Sequence, residues 1–141
     1  MKVLFYMDDQ TIELAKYRKE KAEEELKAAK YLYEKDIIKS CLSSSYYSIF
    51  HSARALLVFK KLDSKKHSGV IALFNKEYIK TGLINEKAKD ILSKAFYIRI
   101  ESDYKDFYVA SKEEAQEQID NAEFFLNEIL NFIRQHYNVE L

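Results

Sequence analysis

Nowhere in its 141 residues does the chain carry a proline, and glycine occurs only at Gly69 and Gly82. Proline presets the turn dihedral and glycine supplies positive φ, so a chain this short of both has few tight turns to offer. It cannot make the many hairpins of an all-β fold, and long helices are the default. With 48% hydrophobic and 33% charged residues, the composition is that of a globular protein rather than a disordered one. A single domain over residues 1–141 is expected. At that size about 68–70% of the unfolded surface is buried on folding, so the core needs no staples.

Periodicity divides the chain into about five helices. The first covers about residues 10–34, capped by Asp8 or Asp9, with Leu14, Ala22, Leu26, Ala29 and Tyr33 as its apolar stripe. The second covers about 36–62, the third about 68–80 with a stop at Gly82, and the fourth about 86–103. The segment "YKDFYVA" breaks the period and reads as a loop. Ser111 and Glu114 then form a Ser-x-x-Glu capping box that opens a fifth helix running to about residue 136. Its inward stripe is Ala115, Ile119, Ala122, Leu126, Ile129 and Ile133. Long helices with brief connections predict an all-α, antiparallel up-down bundle.

The formal net charge is zero, so nothing global draws the chain to nucleic acid or to a membrane. Residues 1–70 hold 14 Lys/Arg against 10 Asp/Glu, and residues 71–141 hold 9 against 13, an imbalance that solvated helix faces explain. "KKLDSKKH" is a local cluster in an inter-helix loop, where Lys65, Lys66 and His67 are placed to meet phosphates. Cys41 is the only cysteine, which excludes an internal disulfide and a cysteine zinc site. The apolar run at positions 3–7 is too short for a signal peptide. The longest stretch free of Lys, Arg, Asp and Glu, residues 40–53, falls short of the roughly 20 residues of a membrane span. A cytoplasmic protein without a membrane segment is expected.

Two helices carry residues that a simple core would not. At 100° per residue, the second helix resolves into three faces. Ile38, Leu42, Tyr46, Ile49, Phe50, Ala53, Leu56 and Leu57 make a wide apolar face. Cys41, Ser45, Ser48, Ser52 and Ala55 make a stripe of small side chains against which another helix can pack closely. Ser43, Tyr47, His51 and Arg54 share the third sector, either as an amphipathic edge or as the wall of a groove. In the fourth helix, Arg99 projects into the middle, not the border, of a face made of Ala88, Ile91, Leu92, Ala95, Phe96 and Ile98, with Ser102 at its far end. Arginine is seldom buried unless paired. Asp103, one turn on, offers a structural partner. The alternative is a cation held in a cleft for an anionic ligand such as phosphate.

Other chemistries drop out. No His follows a Glu by three positions, which removes the di-iron bundle signature. His51, His67 and His136 share no metal-ligand spacing, and there is no Gly-rich phosphate loop and no G-x-S-x-G elbow. No metal and no cofactor is expected.

Three segments in order, "SSSYYSIFHSARALL" at 43–57, "KKHSGVIALFNKEYIKTGL" at 65–83 and "AFYIRIESDY" at 95–104, closely resemble the small single-domain HEPN proteins of bacteria and archaea. HEPN stands for higher eukaryotes and prokaryotes nucleotide-binding. The likeness runs from about Ala22 through the last helix. It implies an antiparallel helical bundle, a homodimer and a minimal nucleotidyltransferase partner, in pairs that include toxin–antitoxin systems. Active members are metal-independent RNases whose motif is Arg, four to six residues, then His, often with Tyr two positions beyond.

Arg99 matches the motif's Arg, but Tyr104 stands at the earliest His position, Asp106 at the Tyr position, and no His follows within reach. Tyrosine, with a pKa near 10, is a poor general base at neutral pH. The resemblance therefore implies a non-catalytic or weakly catalytic HEPN module that binds nucleotide or RNA. Arg99 would hold phosphate and Asp103 would orient it. Tyr104, Tyr47, His51 and Arg54 would line the cleft, and Lys65, Lys66 and His67 would add positive potential at its rim. Two alternatives stay open: an RNase toxin using Arg99 with a relocated His51 or His67, and a dimerising bundle whose clefts bind nothing.

Overall fold

A computed structural model describes residues 7–141, and the apolar opening run lies, apart from Met7, outside the described residues. The architecture is an antiparallel bundle of five helices, with no strand among the described residues. They are α1 (Asp9–Glu34), α2 (Ile38–Leu57), α3 (His67–Phe74), α4 (Glu86–Tyr104) and α5 (Lys112–Phe132). A 3₁₀ turn, Val58–Lys60, extends α2, and π turns Asn75–Ile79 and Ile133–Tyr137 extend α3 and α5. The helices predicted over 36–62 and 68–80 are therefore shorter and end in altered winding.

Local chemistry sets the ends. Asp8 caps α1 by accepting from the Thr11 amide at 2.7 Å, Asn85 caps α4 from Lys87 at 2.8 Å, and Ser111 caps α5 from Glu114 at 3.0 Å. The reciprocal half of the capping box is not made, because the Glu114 carboxylate takes the Tyr108 hydroxyl instead. Between α1 and α2 the chain reverses through Asp36 at φ 60°, a left-handed conformation that Asp tolerates. Gly82, at φ 76°, reverses the chain before α4. Gly69 is needed for a different reason: a Cβ there would lie 2.0 Å from Ser64 Oγ. The loop before α3 can fold back on that helix only because position 69 has no side chain.

Helix α2 is the central element and packs against each of the others. Its small stripe, Cys41, Ser45, Ser48, Ser52 and Ala55, is buried. So is the alanine heptad Ala15, Ala22 and Ala29 of α1, the helix that α2 meets most extensively. The approach is close enough for Ser48 Oγ to donate to the Ala22 carbonyl at 2.8 Å. The α1 stripe departs from its prediction at both ends. Leu14 is 42% exposed, and the buried line is Thr11, Ala15, Arg18, Ala22, Leu26 and Ala29. The small face of α2 selects small residues opposite it, and Leu14 lies one position off that line.

On the other side of α2 the core is aromatic and aliphatic. Phe74, Tyr78, Phe125, Ile129 and Ile133 are fully buried with Leu56 and Leu57, and each such side chain contributes roughly 1.5–3 kcal/mol. The Tyr78 hydroxyl is satisfied in the core by the Leu56 carbonyl at 3.3 Å and the Tyr137 hydroxyl at 2.8 Å. Among the described residues no helix is long and apolar enough to cross a membrane.

Candidate functional site

Helix α4 buries Ala88, Ile91, Leu92, Ala95, Ile98 and Ser102. Arg99 follows Ala95 by one turn on that face and is half-buried there, its side chain 23% exposed. Its Nε donates to Asp103 Oδ2 at 3.0 Å. The guanidinium carbon sits 4.4 Å above the Tyr47 ring and 5.3 Å from the Tyr46 ring, close enough for cation–π attraction to both. Its Nη1 is buried and meets no partner among the described residues. Burial opposes the charge, but Asp103 and Tyr47 outweigh it and raise the Arg99 pKa. The cation is permanent, and its buried Nη1 is unused among the described residues.

Below Arg99 lies a ring cluster built from α2 and the first residue of α3. His67 stacks on Phe50 at 4.3 Å, and its Nδ1 lies 2.7 Å from the Tyr46 hydroxyl. Burial, then the charges of Arg99 and Arg54, lower the His67 pKa. Burial also pushes the Tyr46 hydroxyl well above its ordinary value, so it keeps its proton. His51 stacks on Tyr47 at 6.0 Å and has a buried Nδ1 without a partner among the described residues. Burial, then Arg54, Lys21, Arg18 and His67, hold His51 at about 4. Both imidazoles are therefore neutral at pH 7.

The far edge of the cluster is an ion network. Arg54 reaches over Phe50 at 5.8 Å and donates to Asp63 through Nε at 3.2 Å and Nη2 at 2.9 Å. Arg18, from α1, donates to the same carboxylate at 3.1 Å and to the Arg54 carbonyl at 3.1 Å. Burial would raise the Asp63 pKa, but hydrogen bonds from Arg54 and the Ser64 amide, with the charges of both arginines, lower it.

Of the residues predicted for a site, the structure brings Tyr47, His51, His67 and Arg99 into one cluster, with Asp103 on Arg99 and Arg54 across Phe50. Others stand apart. Tyr104 is 83% exposed at the end of α4, and Lys65 and Lys66 are exposed in the loop before α3. His67 does not add positive potential at a rim: it is packed among aromatic rings and neutral. The sequence reading missed Tyr46, Phe50, Arg18 and Asp63. A signal for Tyr46 was available, since a tyrosine on a buried face needs a partner for its hydroxyl. Chemically, the cluster offers a fixed cation with a free donor, neutral imidazoles and aromatic faces. Among the described residues no three of His, Cys, Asp and Glu gather as a metal site would require.

The molecule is an all-helical bundle with an arginine laid on paired tyrosines of its central helix. The chain belongs to the HEPN domain family, whose model matches residues 15–133 and so spans the whole cluster. It is 39% identical over 114 residues to a protein of Methanocaldococcus jannaschii named a "putative toxin", covering 81% of this chain and 84% of that one. A second "putative toxin" of the same organism is 35% identical, covering 81% and 78%. A "UPF0332 protein" of Thermotoga maritima is 34% identical over 120 residues, covering 85% and 91%.

Proposed function

We propose that this protein is a nucleotide- or RNA-binding HEPN module of toxin–antitoxin type. It holds a phosphate at Arg99 and works in the cytoplasm with a nucleotidyltransferase partner. The observation that carries the reading is Arg99 itself: Nε is spent on Asp103, the plane is fixed on Tyr47, and Nη1 is left buried and unpaired. A buried donor without an acceptor costs about 1–3 kcal/mol, a cost that a ligand oxygen removes. The half-buried Tyr47 and His51 rings lie beside this cation, and aromatic faces can stack a base. The toxin–antitoxin element draws support from the relatives that carry a toxin name. An exposed row on and beyond α4, Tyr97, Ile100, Tyr104, Phe107 and Val109, supports contact with a second copy or with the partner; Phe107 is 95% exposed. Fluorescence anisotropy with labelled single-stranded RNA and with nucleotides tests the reading. Binding lost in Arg99→Ala, with melting still cooperative, is the expected result.

A second reading, a metal-independent RNase, is favoured by the placement of His67 and Arg99 on the same two tyrosine rings. RNA incubated with EDTA, wild type against Arg99→Ala and His67→Gln, separates the two. Cleavage lost in both variants would select the RNase; no cleavage by any of them leaves the binding module.

A further inference from the structure

Tyr46 is 1% exposed, and among the described residues its hydroxyl has one partner, His67 Nδ1 at 2.7 Å. A buried O–H left without an acceptor is costly, and an imidazole nitrogen accepts only when it carries no proton. The proton of the neutral ring must then sit on Nε2. We infer that Tyr46 holds His67 in the Nε2–H tautomer, so that His67 serves the Arg99 site as a second, uncharged donor to a phosphate-type oxyanion. The donor role rests on the phosphate-binding reading of Arg99; the tautomer does not.

The surroundings support both parts. His67 and Arg99 lie against the same rings, His67 at 5.7 and 6.0 Å from Tyr46 and Tyr47, Arg99 at 5.3 and 4.4 Å. Nε2 of His67 meets no partner among the described residues, yet it is not among the buried atoms left unpaired, so it opens to solvent. The charges around the ring are Arg99 from α4, Arg54 from α2, and Lys65 and Lys66 just before it in the chain, with His51 neutral. The nearby carboxylates, Asp103 and Asp63, are already engaged by arginines. Protonating His67 would add a cation to this positive setting. It would also place an N–H against the Tyr46 hydroxyl and strand that hydroxyl's hydrogen in the core. The ring's position is fixed by its stack on Phe50 at 4.3 Å.

The consequence bears on catalysis. A general base must present a bare nitrogen to the proton that it removes. With Nδ1 accepting from Tyr46 and Nε2 protonated, His67 has no bare nitrogen left for a substrate proton and can only donate outward. That separates a donor to phosphate from the base that the RNase reading would require.

The test uses the full chain with ¹⁵N-labelled histidine and inorganic phosphate as the probe. Long-range ¹H–¹⁵N spectra tell a protonated ring nitrogen from a bare one. At pH 7 we expect His67 with a protonated Nε2 and a bare Nδ1, and Tyr46→Phe should release that preference into a tautomer mixture. Phosphate should shift Nε2 in the wild type and leave it unmoved in Arg99→Ala. His67→Gln, which keeps an N–H donor, should retain phosphate binding, whereas His67→Phe should weaken it about tenfold, the loss of one hydrogen bond to a charged acceptor. A bare Nε2 or an imidazolium in the wild type at pH 7 overturns the tautomer, whatever the variants do. Arg99-dependent phosphate binding that leaves Nε2 unmoved overturns the donor role while the Arg99 reading stands. No phosphate binding at all defeats the donor role and the Arg99 reading together.

Discussion

Arg18 on α1 and Arg99 on α4 each lay a guanidinium against α2, and the two are finished differently. Arg18 is 7% exposed, with Nη1 on the Arg54 carbonyl and Nη2 on Asp63. Burial and then the Arg54 charge lower its pKa, against the pull of Asp63. Around it, Ser48 and Ser52 return their hydroxyls to carbonyls of α1 and α2. Arg99 is less buried but less satisfied: one nitrogen reaches Asp103, the plane rests on tyrosine, and Nη1 has no acceptor among the described residues. His51 beside it has an orphaned Nδ1 as well. The same residue type is structural where the fold uses its donors and, in the function proposed above, serves a ligand where the fold leaves a buried nitrogen unpaired among the described residues.

The largest test of this contrast is Arg18→Met. Removing the guanidinium takes a donor from the Arg54 carbonyl and leaves one Asp63 contact unmade, so urea unfolding should show a loss of about 2 kcal/mol; the half-exposed Asp63 keeps the cost below that of a fully buried pair. Phosphate binding at Arg99 should persist. An Arg18→Met protein of wild-type stability would break the comparison. Arg99→Ala should do the reverse, costing only about 1 kcal/mol, the sum expected of an i,i+4 pair and a ring contact, while binding disappears. If Arg99→Ala instead loses its cooperative melting, Arg99 is structural after all.

Acid separates the two regions along the pH axis. His51, at about 4, refuses in the fold a proton that the unfolded chain accepts near pH 6.5. Its folded pKa is depressed, so its contribution is complete above about pH 6.5 and is lost as pH falls toward 4. Lowered His67 adds to the same window. Asp63 is also lowered, so its contribution goes only further down, below the ordinary carboxylate pKa of about 3.9. Urea midpoints should fall in two stages; His51→Phe should flatten the first and Asp63→Asn the second. A midpoint constant from pH 7 to 5 would contradict the first stage. The smallest effects belong to Lys65→Ala and Lys66→Ala, which should change stability by under about 0.5 kcal/mol. Each should lower the salt dependence of RNA binding by about one ion if the loop reaches the backbone.

Much of this was legible in one dimension. The three faces of α2 follow from a 100° step, and the structure buries the small face and, except for the half-buried Ile38, the apolar face, while leaving Ser43, Tyr47, His51 and Arg54 half-buried. Asp8, Gly82 and Ser111 act where their chemistry predicts. Arg99 stood out because a cation near an apolar strip needs a reason. Arg18 did not stand out, because a helix crowded with lysine and glutamate hides one arginine on its buried line. Tyr46 was read as core, and it is core; its second role, toward His67, has no local signature.

By itself the sequence determined the helical class, the helix order, the central place of α2 and the identity of its three faces. Those depend on periodicity, capping and breaker residues, which act within a few turns. Only the tertiary structure decided which polar groups are satisfied. Tyr46 meets His67 across 21 positions and Arg18 meets Asp63 across 45. Whether a buried donor is finished depends on the acceptor that packing delivers from another helix, and no spacing along the chain encodes that.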